Sequence, residues 1–339
     1  MKSRHFLLSI LLMFSLSGVI HAETFEETLA EAKQGQASAQ LNLGAMYDYG
    51  TGVPENDKEA VKWFRLAAEQ GNAKAQSNLG WMYDNGEGVP EDDTEAVKWY
   101  RLAAEQGYAR AQFNLGNMYA KGEGVPEDDT EAVKWYRLAA EQGNTGAQLN
   151  LGWMYAKGTG VPENDKEAVK WFRLAAEQGN AKAQSNLGWM YDNGEGVPED
   201  DTEAVKWYRL AAEQGYARAQ FNLGNMYAKG EGVPEDDTEA VKWYRLATEQ
   251  GYASAQFRLG NMYDVGEGVP ENDIKAYAWY SLAKAQGDED AEKKIEKLKK
   301  ILTREQIAQA QALADELYTD RSEFDLRSAI ARKNIPYLS

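Results

Sequence analysis

The stretch DDTEAVKWYRLAAEQG, residues 92–107, recurs with small changes every 36 residues, and seven copies follow one another. The loop Gly86-Glu87-Gly88-Val89-Pro90 leads into this copy. The same Val-Pro step returns at Pro54, Pro126, Pro162, Pro198, Pro234 and Pro270, leaving only Pro336 outside the series. A fixed period of this length marks a solenoid, because one such unit cannot bury its apolar face alone and needs a stacked neighbour. The 339 residues therefore read as one all-α array that grows by stacking, not as two globular domains.

Each unit predicts two helices. The first, for example residues 73–84, sets Ala75, Leu79, Met82 and Tyr83 at helical spacing on one face, and Asn85-Gly86 ends it. Gly80 sits inside that helix, and its equivalents are glycine in all seven copies. A mid-helix glycine costs about 1 kcal/mol against alanine, so its repetition predicts a neighbour too close for a side chain. The second helix begins at Asp92, with Glu95 three residues on as a capping box. Its buried stripe is expected at Ala96, Trp99, Tyr100, Ala103 and Ala104, with Gly107 as the left-handed stop.

These residues carry a resemblance. The pattern AxAQxxLGxMYxxGxGVPxDxxxAxxWYRxAAxQG is similar to the Sel1-like repeat, a relative of the tetratricopeptide repeat. The resemblance implies a right-handed α/α superhelix of seven 36-residue repeats with helical caps, used as a protein-interaction scaffold in secreted or periplasmic bacterial proteins. The expected organisation is a signal peptide at 1–22, a capping helix at 23–34, repeats at 35–287, two closing helices at 288–318 and a tail at 319–339. The closing helices present the apolar rows Ile295, Leu298, Ile301 and Ile307, Ala310, Leu313, Leu317, with Thr303 as N-cap between them. In the last repeat, Asn272-Asp273-Ile274-Lys275 lacks the capping box.

A longer copy lies above the short one. Residues 50–143 recur as 158–251, and the only difference is Ala140 against Thr248. A catalytic centre assembled from that block would exist twice, which argues against an enzyme.

Composition points the same way. Lys2 and Arg4, the apolar run Phe6 to Phe14 and Ala22 at the cut read as a secretory leader. Both histidines, His5 and His21, lie inside it, and the chain has no cysteine. The remainder cannot build a Ser-His-Asp triad, a Cys nucleophile, or a His or Cys zinc site. No catalytic residue, cofactor or metal ligand is expected. Without the leader, 35 basic residues face 54 acidic ones, a balance of −19. Such a charge disfavours nucleic acid and anionic membranes, and leaves basic partners or solubility.

The remaining candidates divide between structure and binding. Acidic pairs such as Asp92-Asp93 and Asp128-Asp129 stand at helix starts, where they cap amides. Lys293, Lys294, Lys297, Lys299 and Lys300 form a basic run that reads as a solvated helix face. The Trp-Tyr and Trp-Phe pairs of the second helices read as core.

The first helices differ mainly along one stripe: Lys74, Ser77, Trp81 and Asn85, then Arg110, Phe113, Asn117 and Lys121, then Gly146, Leu149, Trp153 and Lys157. In the repeats this chain resembles, first helices line the concave groove. A protein or peptide partner is therefore expected at Lys74, Ser77, Asn78, Trp81, Arg110, Phe113, Asn117, Trp153, Trp189, Arg218 and Asn225. Trp81, Trp153 and Trp189 serve either as anchors for that partner or as filling between neighbouring first helices. The leading reading is a non-catalytic scaffold, beside a cell-wall or β-lactam-related hydrolase and a structural part of an envelope or polysaccharide-export complex.

Overall fold

The computed structural model describes residues 24–333, with side chains as far as Thr319. The proposed leader lies outside the described residues. Among them the chain forms seventeen α-helices and no strand. After α1 (Phe25–Lys33) the helices pair as α2 (Ala37–Asp48) with α3 (Asp57–Glu69) and α6 (Ala109–Lys121) with α7 (Asp129–Glu141), with α4 (Ala73–Asn85) and α5 (Asp93–Glu105) between them in chain order. There follow α8 (Thr145–Lys157) with α9 (Asp165–Glu177), α10 (Ala181–Asn193) with α11 (Asp201–Glu213), α12 (Ala217–Lys229) with α13 (Asp237–Glu249), and α14 (Ala253–Val265) with α15 (Asp273–Ala285). Two helices close the chain, α16 (Glu289–Leu298) and α17 (Arg304–Lys333). The chain divides into two compact units, one ending at Trp99 and the other starting at Tyr100.

The turns explain why each pair is so regular. At the end of α7, the Gly143 N–H donates to Ala140 O at 3.0 Å and the Asn144 N–H to Ala139 O at 3.0 Å, with Gly143 at φ +87°. This is the glycine-stopped helix end in which the last carbonyls are satisfied by the turn itself. At the other end, the Asp128 carboxylate accepts from the Thr130 and Glu131 N–H groups at 3.0 Å. Only that half of the expected capping box forms. The Glu131 side chain turns outward to Lys134 instead, as Glu95 turns to Lys98. Asn272 keeps the same half at the start of α15, accepting from the Lys275 N–H at 2.9 Å.

The recurring mid-helix glycine has the predicted cause. A Cβ on Gly152 would lie 2.6 Å from the Phe172 ring, and one on Gly116 would lie 2.7 Å from Tyr136. The intruder is an aromatic ring of the paired second helix. A second glycine is held by backbone: at Gly160 (φ +66°) a Cβ would collide with the Asp129 carbonyl, and Gly88, Gly196, Gly232 and Gly268 meet Asp57, Asp165, Asp201 and Asp237 in the same way, so these inter-helix loops lie on the first residue of the preceding second helix.

One buried glutamine per repeat links successive pairs. Gln148, 3% exposed, donates to the Ala140 carbonyl at 3.1 Å and accepts from Gln178 Nε2 at 2.7 Å. In the unit ending at Trp99, Gln40 does the same with Ala32 O and Gln70. Each such bond contributes about 1 kcal/mol net, and an orphaned partner costs more.

The second-helix stripe forms the core, where Ala132, Trp135, Tyr136, Ala139 and Ala140 are all buried. Trp99, Trp135 and Trp171 are buried, while Trp63, Trp207, Trp243 and Trp279 are half-buried. Their packing is apolar, and the indole N–H groups of Trp135 and Trp171 meet no acceptor.

The ends differ from expectation in two places. Thr303 caps α17 with a complete box, since Gln306 N–H donates to Thr303 Oγ1 at 3.2 Å and Thr303 N–H to Gln306 Oε1 at 2.9 Å. That helix continues to Lys333 instead of stopping at Tyr318, because no Gly or Pro interrupts residues 304–333. Leu313, Ala314 and Leu317 pack against Ala278 and Leu282 of α15. Ile301, placed in the apolar row by sequence, is 64% exposed, because the chain leaves α16 at Leu298.

Candidate interaction face

In the unit ending at Trp99, α4 carries four of the expected residues. Lys74 is exposed, while Asn78 and Trp81 are half-buried. Ser77 is 1% exposed and its hydroxyl has no partner, so it is removed from the candidate face. The register is the one that holds Phe113 and Leu149 in the following repeats, so the difference is size: the short serine side chain is covered by its neighbours where the larger ones reach the surface.

In the unit from Tyr100, Arg110 is exposed, and Phe113, Asn117, Trp153, Trp189, Arg218 and Asn225 are half-buried. Neighbouring first helices lie side by side. Asn150 Nδ2 donates to Asn117 Oδ1 at 3.3 Å, and a Cβ on Gly146 would meet Phe113 at 3.0 Å. The stripe is therefore continuous from α6 to α8, while in α10 the residue at the Phe113 register, Ser185, is buried.

The lower half of the stripe is tied to the core. The Tyr136 hydroxyl donates to Asn117 Oδ1 at 2.7 Å, and the Tyr244 hydroxyl to Asn225 Oδ1 at 2.8 Å. Burial pushes both phenols up to about 12. Where the stripe carries Trp153 instead, the facing residue is Phe172, edge to face at 5.6 Å between centroids. Trp153 and Trp189 also pack against the core of this unit. The two readings of these tryptophans thus merge, since each fills space beneath and leaves part of its ring outside.

At Trp189 the facing residue is Tyr208, and its hydroxyl turns to Asp192 Oδ2 at 3.1 Å. Burial raises the Asp192 carboxyl above its ordinary value, and Asp201 and Glu231 add to the rise.

Cations separate the two helix sets. The recurring second-helix lysines are engaged twice: Lys134 pairs with Glu131 at 3.1 Å and lies 5.4 Å from the Trp135 ring, and Lys170, Lys206 and Lys242 repeat this. The recurring arginines bond to tyrosines, as Arg137 does to the Tyr155 hydroxyl at 2.6 Å. Three of the five lysines of the basic run are also paired, Lys293 with Asp290, Lys299 with Glu296 and Lys294 with Asp264.

Two features escaped the sequence reading. Asp48, Asp57 and Glu87 bring carboxylate oxygens within 4.8 Å of one another. Burial, then Asp57 and Glu55, raises Glu87 above its ordinary value. These residues come from three separate elements, and only the loop lying on the helix start brings them together. The other is a shallow depression of about 440 Å³ on α11, lined by Thr202, Val205, Leu210 and Val233 among others.

No curated protein matches the sequence. Among solved structures, a Sel1 repeat protein from Oxalobacter formigenes is 38% identical, covers 81% of this chain and 79% of its own, and superposes with a TM-score of 0.65. A protective antigen present in uropathogenic Escherichia coli strains, displaying an SLR fold, is 27% identical over 94% of this chain and 98% of its own, with a TM-score of 0.40. An immunity protein from Pseudomonas aeruginosa is 23% identical over 63% of this chain and 81% of its own, with a TM-score of 0.38. The Sel1 repeat matches seven consecutive segments, 37–72, 73–108, 109–144, 145–180, 181–216, 217–252 and 253–288. The chain belongs to the Sel1 repeat family.

Proposed function

We propose that the protein is an exported, non-catalytic scaffold that holds a protein or peptide partner on its first-helix face. The observation that carries this reading is the exposure of the stripe. Phe113, Leu149 and Phe221 at one register, and Asn117, Trp153 and Trp189 at the next, stay half-buried and vary in identity along the array, while Ala147, Leu151 and Met154 are buried. Partly exposed aromatic side chains bordered by polar residues are the composition of protein interfaces. Export rests on Lys2, Arg4 and the apolar run that follows them. A chain whose histidines both fall within residues 1–22 and which has no cysteine suits binding better than acid–base or nucleophilic chemistry.

The test is site-specific photo-crosslinking in the native envelope. A photoreactive residue at Arg110 or Lys182, both exposed on first helices, should trap one discrete partner. The same residue at Leu138 or Leu210, about equally exposed on second helices at 39% and 40%, should trap none. Adducts only from Leu138 and Leu210 would place the partner on the opposite helices and reject the reading.

A further inference from the structure

Net charge alone points to a basic partner, and the distribution of that charge points the other way. In the unit from Tyr100, the five first helices α6, α8, α10, α12 and α14 carry seven cations against two acids, in a chain whose overall balance is −17. The acids are Asp192 and Asp264, and both are occupied. Asp192 accepts from the Tyr208 hydroxyl, and Asp264 pairs with Lys294 at 3.0 Å.

Of the cations, Lys121 and Lys229 pair with Glu123 and Glu231 of their own loops. Arg110, Lys182, Arg218 and Arg258 stand in no ion pair, and Lys157 lies over the Trp153 ring with no acid partner. Arg110, Lys182 and Arg258 are exposed and Arg218 is partly so. The recurring second-helix lysines Lys134, Lys170, Lys206 and Lys242, in contrast, are each paired with a glutamate three residues earlier. The unspent charge on the first-helix face is therefore positive, although the protein is acidic. Complementary charge across an interface steers association and selects the partner.

We propose that the first helices of the unit from Tyr100 bind an acidic polypeptide segment, its carboxylates received by Arg110, Lys182, Arg218 and Arg258. The proposal rests on the reading of this face as the partner-binding surface and adds the partner's chemistry. A nucleic acid fits less well. Its phosphates recur about every 1.7 Å of duplex, and such a uniform polyanion would run against the loops that bear Glu123, Glu127 and Asp128 and their equivalents. A short acidic segment can place its charges on the cations alone.

The experiment uses the chain from residue 23 and three fluorescein-labelled peptide pools, glutamate-biased, neutral and lysine-biased, each about 12 residues and so ~40 Å when extended. Fluorescence anisotropy reads binding. The expected result is preferential binding of the glutamate-biased pool, weakened about tenfold or more by the quadruple variant R110Q/K182Q/R218Q/R258Q. It should also weaken between roughly 0.05 M and 0.5 M salt, where screening shortens from about 14 Å to about 4 Å.

The matched variant K134Q/K170Q/K206Q/K242Q removes the same charge from the second helices and should bind as the parent does. Melting temperatures of both variants check that neither is unfolded. Equal loss in the two variants, tighter binding of the lysine-biased pool, or equally tight binding of a single-stranded oligonucleotide would each overturn the proposal. If neutralisation does nothing while F113A/F221A removes binding of the neutral pool, the charge inference fails and the face reading stands. If no pool binds and Arg110 and Lys182 yield no crosslinks in the envelope, both fail together.

Discussion

Two adjacent repeats, 109–144 and 145–180, share their turns, their glutamine link and their mid-helix glycine, yet they solve one contact differently. In the first, Asn117 receives the hydroxyl of Tyr136 at 2.7 Å. In the second, Trp153 meets the edge of Phe172. The facing residue sits on the second helix, 19 positions on, and in these two repeats it changes in step with the stripe. Repeat 181–216 shows the mixed case: Trp189 offers no acceptor for Tyr208, and the hydroxyl finds Asp192 instead. Variation along the stripe is thus constrained from below, and only the cations at its ends and the exposed ring faces are free to answer to a partner.

The largest expected effect separates the two repeats directly. Trp153→Ala removes a half-buried ring packed on Phe172 and should cost about 2 to 4 kcal/mol, whereas Asn117→Ala should cost about 1 to 2 kcal/mol by leaving the Tyr136 hydroxyl without an acceptor. Chemical denaturation of both variants measures the difference. Equal losses would mean that the two contacts are not the distinction between the repeats.

A swap sharpens the comparison. Phe172→Tyr alone brings a buried hydroxyl against Trp153 and should cost about 1 to 3 kcal/mol. Adding Trp153→Asn recreates the neighbouring repeat's pair and should recover part of that loss, which a double-mutant cycle reads as coupling. A strictly additive result would show that residue identity at the two positions is independent.

The mixed repeat gives a smaller, pH-dependent effect. Burial first, then Asp201 and Glu231, holds the Asp192 carboxyl above its ordinary value of 3.8 in the folded chain. The folded state therefore binds this proton more tightly than the unfolded one. The group's contribution is most favourable below the ordinary value and is lost as pH rises through the folded value. Asp192→Asn keeps an acceptor for Tyr208, so it should match the parent in acid and melt slightly higher at neutral pH. With the site about half open to solvent, the gain should stay below about 1 kcal/mol. A variant less stable than the parent at neutral pH would show that the charge is favourable there.

Smallest of all is Ser185→Ala. Its hydroxyl is buried with no partner, so removing it should leave stability within about 0.5 kcal/mol. A loss above about 1 kcal/mol would reveal an interaction of that hydroxyl.

Most of the fold was legible because it rests on local rules repeated seven times. Gly152 announced a close approach, Asp128 a helix start, and Gly143 a helix end. What the sequence hid were choices among partners. Glu131 had both a cap amide and Lys134 within reach, and three residues of helix favoured the lysine. Ser77 shares the register of Phe113 and Leu149, but its side chain is too short to reach the surface, and it is buried. The cluster of Asp48, Asp57 and Glu87 spans a loop contact between repeats, which no spacing within one repeat reveals. The candidate face was legible as a stripe, but its sign was not. Net charge counts the paired lysines of the second helices equally with the unpaired cations of the first, and only ion-pair geometry tells them apart.

Amide hydrogen exchange of the chain alone and with its crosslinked partner bound tests the central claim most directly. The expected result is slowed exchange in the N-terminal turns and exposed flanks of α6, α10 and α12, with α7, α11 and α13 unchanged. Protection confined to α7, α11 and α13 would contradict it, placing the partner on the second helices beside Leu138 and Leu210.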